Sequence, residues 1–321
     1  MRLLRALRRR ILTPNVRETR MEVRGFTVTN DAAKSLLETV GSSFLEGYGY
    51  AAEAPHAAAA EPRLETVPTQ FRGFAYEGAA MALAMRDGLR VGRPRHVADL
   101  LAGRGDAHAY MAYVGVGWAM ARLPRFRWNR LYAPDPLLRW LVLDGYGFHQ
   151  AYFRTARYVY AAYQPARFPW PGDDRTGYAA RAIDQGIGRA LWFVGGTDVD
   201  RVGELIGGFA PERRADLYAG AGLAATYAGG ATEAELVRFH YAAGRHQGQL
   251  AQGSAFAAGA RVRAGLLVPH NEVATSVFCG MSTTEAAKVT DAALSRAQPS
   301  ATHPAYESWR LAIAEEFRHR R

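Results

Sequence analysis

The sequence is poor in residues that carry several common kinds of site. Its single cysteine, Cys279, excludes an internal disulfide and fits a reducing cytosol. Neither CxxC nor HExxH occurs, so the sequence offers no ready-made structural zinc site or metalloprotease site. Because Cys279 lies in an apolar stretch, we expect a buried, inert thiol rather than a nucleophile.

Lysine is also nearly absent. Only Lys34 and Lys288 occur, so the net charge of +10 comes almost entirely from arginine. Together with abundant alanine this is typical of a coding bias, which makes the basicity weak evidence for nucleic-acid binding. Arginines and aromatics alternate at 122–130, but this segment is short and is interrupted by Pro124. We interpret it as a connector and expect no nucleic-acid partner.

Long apolar runs are missing too. None reaches the roughly 18 residues that a spanning helix requires. The first twelve residues are basic and lack the uninterrupted apolar core of a signal peptide. Two interpretations of them stay open: an amphipathic helix resting on an anionic membrane or an acidic partner, or a solvated tail. We expect a cytoplasmic protein, with membrane-peripheral placement through the basic N-terminus as the alternative.

Apolar residues at helical spacing dominate what is present. The 321 residues are 49% apolar and 22% charged, enough to bury a large core. After Asn30, for example, Ala33, Leu37, Val40 and Phe44 recur on one helical face. Only 21–28 alternates in the manner of a short strand. The sequence predicts an all-α fold of stacked helical repeats in a single large domain.

Caps and breakers place the individual helices. Asp135-Pro136 is the strongest start signal, and Thr232 and Ser282 each open a capping box. We expect loops at 51–70 and 164–174. Helices are predicted from 30 onward and at 71–87, 95–102, 106–123, 135–163, 175–194, 199–208, 211–229, 232–262, 282–297 and 304–319.

An acidic Gly-Tyr-Gly motif occurs twice. Asp144-Gly145-Tyr146-Gly147-Phe148 repeats, 98 positions later, the pattern of Glu46-Gly47-Tyr48-Gly49-Tyr50. Each glycine costs a helix roughly 1 kcal/mol relative to alanine. Close backbone approach, between two parts of the protein or against a bound molecule, is the simplest reason to keep them. Gly-x-Gly also occurs at 115–117, 186–188 and 220–222, where we expect helix–helix packing rather than a dinucleotide-binding loop.

A second motif supports an internal repeat. Glu77-Gly78, Gln185-Gly186 and Gln252-Gly253 stand in similar surroundings. We interpret this as an approximate tandem duplication, with chance matches in an Ala/Gly-rich sequence as the alternative. The expected parts are a basic segment and connector at 1–29, repeat halves at 30–125 and 126–230, and a third partial repeat with C-terminal helices at 231–321.

The polar residues of these motifs are the candidate site. They stand among apolar residues, and a buried carboxylate is costly unless it is paired. If the helices face one another, the acids and glutamines converge, either to satisfy one another or to form an active site. On an unbroken helix, however, Asp144 and His149 lie about 140° apart and share no face. The candidates for acid–base work are Asp144, His149 and Glu77, and those for binding are Tyr146, Tyr152, Glu46, Tyr48, Asp184, Gln185, His246 and Gln252.

The kind of ligand is suggested by the aromatic residues that follow Asp144. Tyrosines and phenylalanines between 146 and 163 cover much of one long helix. Core packing is one interpretation, and an apolar channel for an elongated hydrophobic ligand is the other. A metal site from His149 and His246 with Asp144 or Glu77 has no supporting spacing, so we assign no metal. The sequence does not specify a cofactor: it shows no flavin or haem motif, which favours a cofactor-independent role.

At these residues the sequence resembles a known bacterial family. Asp144-Gly145-Tyr146-Gly147-Phe148-His149, the segment 184–192 and Leu250-Ala251-Gln252-Gly253 resemble a domain-of-unknown-function family encoded in enediyne antibiotic clusters. There it accompanies the iterative enediyne polyketide synthase and its thioesterase. The resemblance covers roughly 20–295 and implies a role in making the enediyne core from a linear polyene. It implies no reaction and no catalytic residues.

Residues and resemblance together give three hypotheses. The first is an accessory enzyme that binds the polyene between its repeats, uses Asp144, Glu77 and His149 for acid–base work, and positions the chain with Tyr146 and Gln252. The second is a non-catalytic scaffold or carrier between the synthase and membrane-associated partners. The third is a self-resistance protein that binds the finished product. Flat Ala/Gly faces are also compatible with a homodimer.

Overall fold

The structure is a computed structural model that describes residues 13–90, 95–172 and 174–319. Every regular element in this part of the chain is helical, which confirms the predicted all-α class. The basic segment 1–12 lies outside the described residues. Seven long core helices run through the fold: α1 (Asp31–Glu53), α2 (Thr69–Leu89), α3 (Ala109–Arg122), α4 (Trp140–Phe153), α5 (Ala179–Val194), α6 (Arg214–Ala228) and α7 (Gln247–Ala264).

Shorter elements join the core helices and close one end of the molecule. Three C-terminal helices, α8 (Pro269–Cys279), α9 (Thr283–Leu294) and α10 (Ala305–His319), pack against α7. The connections contain the short α-helices Met21–Arg24, Glu61–Leu64, His96–Leu101, Val199–Gly207 and Glu233–Ala242, the π-helical turn Ala156–Tyr160, and the 3-10 turns Val16–Thr19, Ala57–Ala59, Arg104–His108, Arg125–Arg130 and Gly244–His246.

Neighbouring core helices run parallel. Between α4 and α5, Trp140 packs on Tyr178 near the start of both helices, with ring centroids 5.1 Å apart, and Phe148 packs on Phe193 near their ends at 5.3 Å. The contacts advance in the same direction along both helices. Each connection must therefore return the chain to the starting end, which explains why most connections contain helical turns of their own.

The row of core helices curls back on itself. The phenyl ring of Phe74 on α2 contacts Tyr227 on α6, with centroids 5.1 Å apart. The Arg261 guanidinium on α7 donates to the backbone carbonyls of Gln70 and Tyr227, which lie at the start of α2 and the end of α6. The early helices thus meet the late ones, and space is enclosed between them.

Pairs of glycines set the spacing of the core helices. A Cβ at Gly186 of α5 would overlap the Asp144 carbonyl oxygen of the preceding helix, and one at Gly188 would overlap the Leu217 carbonyl oxygen of the following helix. Residues two apart on a helix point about 200° away from each other. A helix packed closely on both sides therefore needs glycine at i and i+2. The same arrangement holds for Gly115 with Gly117, for Gly145 with Gly147 and for Gly220 with Gly222, as expected from helix–helix packing.

Three local predictions are wrong. The residues near 21–28 form the short helix Met21–Arg24 instead of a strand. The helix predicted at 232–262 is broken, because Gly244 adopts a φ of +51° and separates Glu233–Ala242 from α7. The aromatic helix ends at Phe153 rather than at 163. The capping boxes at Thr232 and Ser282 are confirmed.

Cys279 is the last residue of α8. It is buried, and burial raises the pKa of its thiol to about 12, which agrees with the inert role expected for it. None of the helices in the described ranges has the length and apolar character needed to cross a bilayer.

The glycine contacts predict opposite outcomes for two Gly→Ala changes. Gly186→Ala should lower the free energy of unfolding by about 1–3 kcal/mol, because the methyl group must separate α5 from α4. Gly203→Ala, in the helix Val199–Gly207, should raise it by up to about 1 kcal/mol, because no atom lies within 4 Å of the added Cβ. Urea denaturation of both variants measures the difference. Equal effects would contradict the packing argument.

Candidate functional site

The curled row of helices encloses an apolar cavity with about 60 Å³ of free space. Core helices α1 to α6 all contribute side chains to its wall, and the connector before α1 contributes Glu18 and Thr19 at one edge. Among its few ionisable groups, Glu77, His149 and Arg189 are buried. We call this the first cavity. Its aromatic wall consists of Phe44, Phe74, Trp118, Phe148, Tyr152, Phe153, Phe193 and Tyr227.

A second cavity, with about 40 Å³ of free space, lies on the other side of Arg189. Its wall comes from α3 to α7 and is completed by α9 and by Tyr306 and Trp309 of α10. Asp144 lies on this wall. Three side chains line both cavities and therefore separate them: Arg189, Leu223 and Tyr227.

Arg189 forms the ionic centre between the cavities. Its guanidinium makes a short charge-assisted hydrogen bond to one carboxylate oxygen of Asp144, and both side chains are almost completely buried. Glu77 of α2 shares the wall of the first cavity with Arg189, and the Arg189 charge lowers the pKa of both acids. One buried positive charge thus acts on two carboxyl groups, of which Asp144 is the one bonded to it.

Glu77 is the group in this centre whose pKa is displaced toward neutrality. Burial raises the pKa of its carboxyl to about 7, the nearby Arg189 charge opposes this rise, and the Asp144 charge adds to it. The Trp118 indole of α3 also favours the ionised form, and Tyr227 faces the cluster from α6. Glu77 is therefore about half protonated at neutral pH, which suits a general acid or base.

His149 lies on the wall of the first cavity and away from Asp144. Because α4 is unbroken from Trp140 to Phe153, the two side chains face different cavities, as the 140° between them on an unbroken helix predicts. The imidazole packs edge-on against Trp118 at 5.6 Å, and neither ring nitrogen has a hydrogen-bond partner among the described residues. Burial lowers its pKa to about 3, helped by nearby Arg122, so the ring is neutral.

A second buried ionic cluster ties α10 to the core. Arg310 donates to the Asp216 carboxylate at 2.8 Å, to Glu307 at 3.0 Å and to the Tyr178 hydroxyl at 2.6 Å. Two predicted binding residues belong to this end of the molecule: Gln252 accepts from Arg310 at 3.2 Å, and Gln185 accepts from the Tyr306 hydroxyl at 3.3 Å. Both amides are thus engaged by α10, and neither lines the first or the second cavity.

The remaining predicted site residues divide between the first cavity and other places. Tyr152 lines the first cavity. Glu46 is exposed and accepts from Tyr50, while Tyr48 is buried in the core, where burial raises the pKa of its hydroxyl to about 12. Tyr146 packs against Trp128 and Phe168, Asp184 pairs with Arg213 at 2.6 Å, and His246 stacks on Tyr218 at 5.4 Å; none of the three lines either cavity.

No group of three or more His, Cys, Asp or Glu side chains within the described ranges is arranged to hold a metal ion. His149 and His246 are on different elements with different surroundings, so they do not form a two-histidine site.

The most important residue that sequence reasoning missed is Arg189. It stands next to Gly188 in one of the repeated motifs, and a buried cation was needed to balance two acids predicted to be buried. The need for a buried cation was the signal in the sequence that could have identified Arg189. Trp118, Tyr227 and Arg310 were missed as well, and only the three-dimensional packing brings them to the cavities.

The displaced pKa of Glu77 predicts a pH-dependent stability. In the unfolded chain the carboxyl ionises near 4.5, and in the folded chain near 7. Between these values the folded state holds the extra proton, so stability falls as pH rises, by roughly 2–3 kcal/mol between pH 5 and pH 8. Glu77→Gln should lack this loss, and its stability relative to wild type should increase with pH in urea denaturation series. The stability of Glu46→Gln, an exposed control, should fall with pH as that of wild type does. If the stability of Glu77→Gln also fell in this way, the loss would not come from the Glu77 carboxyl.

Comparison with known proteins gives a family match. Residues 3–317 match the family model described as "Protein of unknown function (DUF1702)". No curated protein and no solved structure matches the chain. Because the family model covers nearly the whole sequence, the chain belongs to the DUF1702 family.

Proposed function

We propose that this protein binds an elongated apolar molecule in its two cavities and assists a chemical conversion at the polar centre between them. The observation that carries the proposal is the meeting of two apolar cavities, with free space of about 60 and 40 Å³, at the buried residues Glu77, Arg189 and Asp144. A few converging polar groups with a displaced pKa in an apolar pocket are typical of active sites.

The walls favour a flat, conjugated ligand. Aromatic rings from α1 to α6 surround the first cavity, and they offer faces and edges that match an extended π-system. The resemblance of the segments at 144–149 and 184–192 to the enediyne-cluster family supports a linear polyene as this ligand. The protein would then be an accessory factor of enediyne core biosynthesis, with the polyene synthase as the source of its substrate.

A carrier role is the second candidate. It is favoured by the connector before α1, where Val16 is 56% exposed and Val23 is 48% exposed, while Glu18 and Thr19 of the same connector line the first cavity. Exposed valines beside the basic segment 1–12 suit contact with an anionic membrane surface. In this version the polyene passes between the synthase and membrane-associated partners without being changed.

Filling the first cavity should block binding. Ala224 of α6 lies on its wall and is 4% exposed. We expect Ala224→Phe to weaken binding of the fluorescent polyene diphenylhexatriene by roughly tenfold or more, which is about 1.4 kcal/mol. Ala234→Phe, at an exposed helical position, is the matched control and should bind as wild type. If folded Ala224→Phe bound diphenylhexatriene as tightly as wild type does, the ligand would not bind in this cavity.

A product profile tests the pathway and separates catalysis from carriage. A host that makes the polyene synthase and thioesterase would carry wild-type protein, Glu77→Gln, Asp144→Asn or no added protein, and its polyenes would be followed by liquid chromatography and mass spectrometry. We expect a new product with wild type that both folded variants reduce by roughly 10²-fold. An unchanged spectrum in which only the amount of polyene varies would support the carrier instead.

A further inference from the structure

The first cavity combines three features that rarely occur together in a hydrophobic core. Glu77 offers a buried carboxylic acid, aromatic rings form most of the wall, and His149 offers an unprotonated imidazole on the same wall. The carboxyl and the imidazole are costly in a core that only packs. Their common cavity indicates that they act on one molecule.

The arrangement of the rings is suited to a positively charged hydrocarbon. Trp118, Phe148 and Tyr152 lie within 5.1–6.3 Å of one another, centroid to centroid, and Phe153 lies 5.0 Å from Tyr152. The faces of such rings carry partial negative charge and attract cations, most strongly where water is excluded. Arg189 already lies 5.3 Å from the Phe148 centroid, and Arg24 lies 4.8 Å from that of Phe153. Trp118 and Phe44, 4.6 Å apart on the same wall, are therefore the rings that would stabilise a carbocation spread along a conjugated chain, with the Glu77 carboxylate as its counter-ion.

The ionic centre explains how the acid can give up its proton. Arg189 stays bound to Asp144, so its charge is partly balanced, yet it also faces Glu77. When Glu77 becomes a carboxylate, the attraction of Arg189 offsets part of the desolvation cost. Other acids are less suited to this cavity, because Asp144 opens to the second cavity and Glu18 is paired with Arg24 at 2.8 Å.

We propose that the first cavity catalyses a redox-neutral isomerisation or cyclisation of a conjugated polyene that begins with proton transfer from Glu77. This inference rests on the proposed function and names its reaction. The O–H bond of Glu77 breaks and a C–H bond forms at one end of the conjugated system, which leaves a delocalised carbocation. A C–H bond farther along the chain then breaks, its electrons restore a double bond, and the proton goes to the neutral His149 imidazole. Proton exchange with solvent resets both groups, so no oxidant or cofactor takes part.

Deuterium labelling tests this step apart from binding. The full-length protein would be incubated in D₂O with the synthetic tetraene 2,4,6,8-decatetraene, whose binding is followed by the shift of its absorbance and whose label is followed by mass spectrometry. We expect wild type to bind the tetraene, to introduce deuterium at carbon and to shift its double bonds. Glu77→Gln should bind it and incorporate deuterium roughly 10²-fold more slowly, and Glu77→Asp should restore part of the rate. The exposed control Glu212→Gln should equal wild type.

The outcomes separate the two proposals. Binding without deuterium in the wild-type reaction would overturn proton-transfer catalysis and leave the binding function in place. Failure of the tetraene to bind would overturn the proposed function itself. If Glu77→Gln incorporated deuterium as fast as wild type, Glu77 would not be the proton donor. If the glutamine variant does not fold, the rate of Glu77→Asp relative to wild type decides the same point.

Discussion

The close approach of parallel helices at their glycines is the constraint on which the rest of the structure depends. Helices α3 to α6 each have a neighbour on both sides, and glycines at i and i+2 let the carbonyl oxygens of those neighbours come within contact of the helix backbone. With both flanks occupied by backbone, only two directions remain for side chains: toward the enclosed space and away from it. Helix spacing therefore also decides which side chains reach the cavities.

Burial of charge follows from the same geometry. In α2 and α4 the residue before the first glycine of the motif lines a cavity, and this residue is an acid, Glu77 or Asp144. An ionised carboxylate at such a position is tolerated only with a buried partner, which Arg189 provides from the next helix. Arg310 plays the corresponding part for Asp216 and Glu307 at the C-terminal end. Arg310 ties α10, which completes the wall of the second cavity, to the core, and Arg189 stands between the two cavities.

Much of this architecture could be predicted from the sequence, and the all-helical class is the clearest example. The packing role of Gly-x-Gly followed from helical periodicity alone. The same periodicity separates Asp144 from Tyr146 by about 200°, so a tyrosine between two such glycines belongs on the outer side, where Tyr146 packs with Trp128 and Phe168. The helix break at Gly244 could not be predicted, because it depends on a local positive φ. The position of Arg310 near Gln252 could not be predicted either, because these residues are 58 positions apart in the sequence.

The division of polar groups between the cavities bears on what the protein can do to a ligand. A scaffold or carrier needs an apolar channel, and a channel gains nothing from a carboxyl group whose pKa lies at about 7 or from an imidazole without hydrogen-bond partners among the described residues. Both groups reduce stability, and an apolar residue of similar size at either place would restore it. The core accepts this cost at two positions of one cavity, whose wall also holds the aromatic rings. This supports the proposal of chemistry on a bound molecule over the proposal of transport.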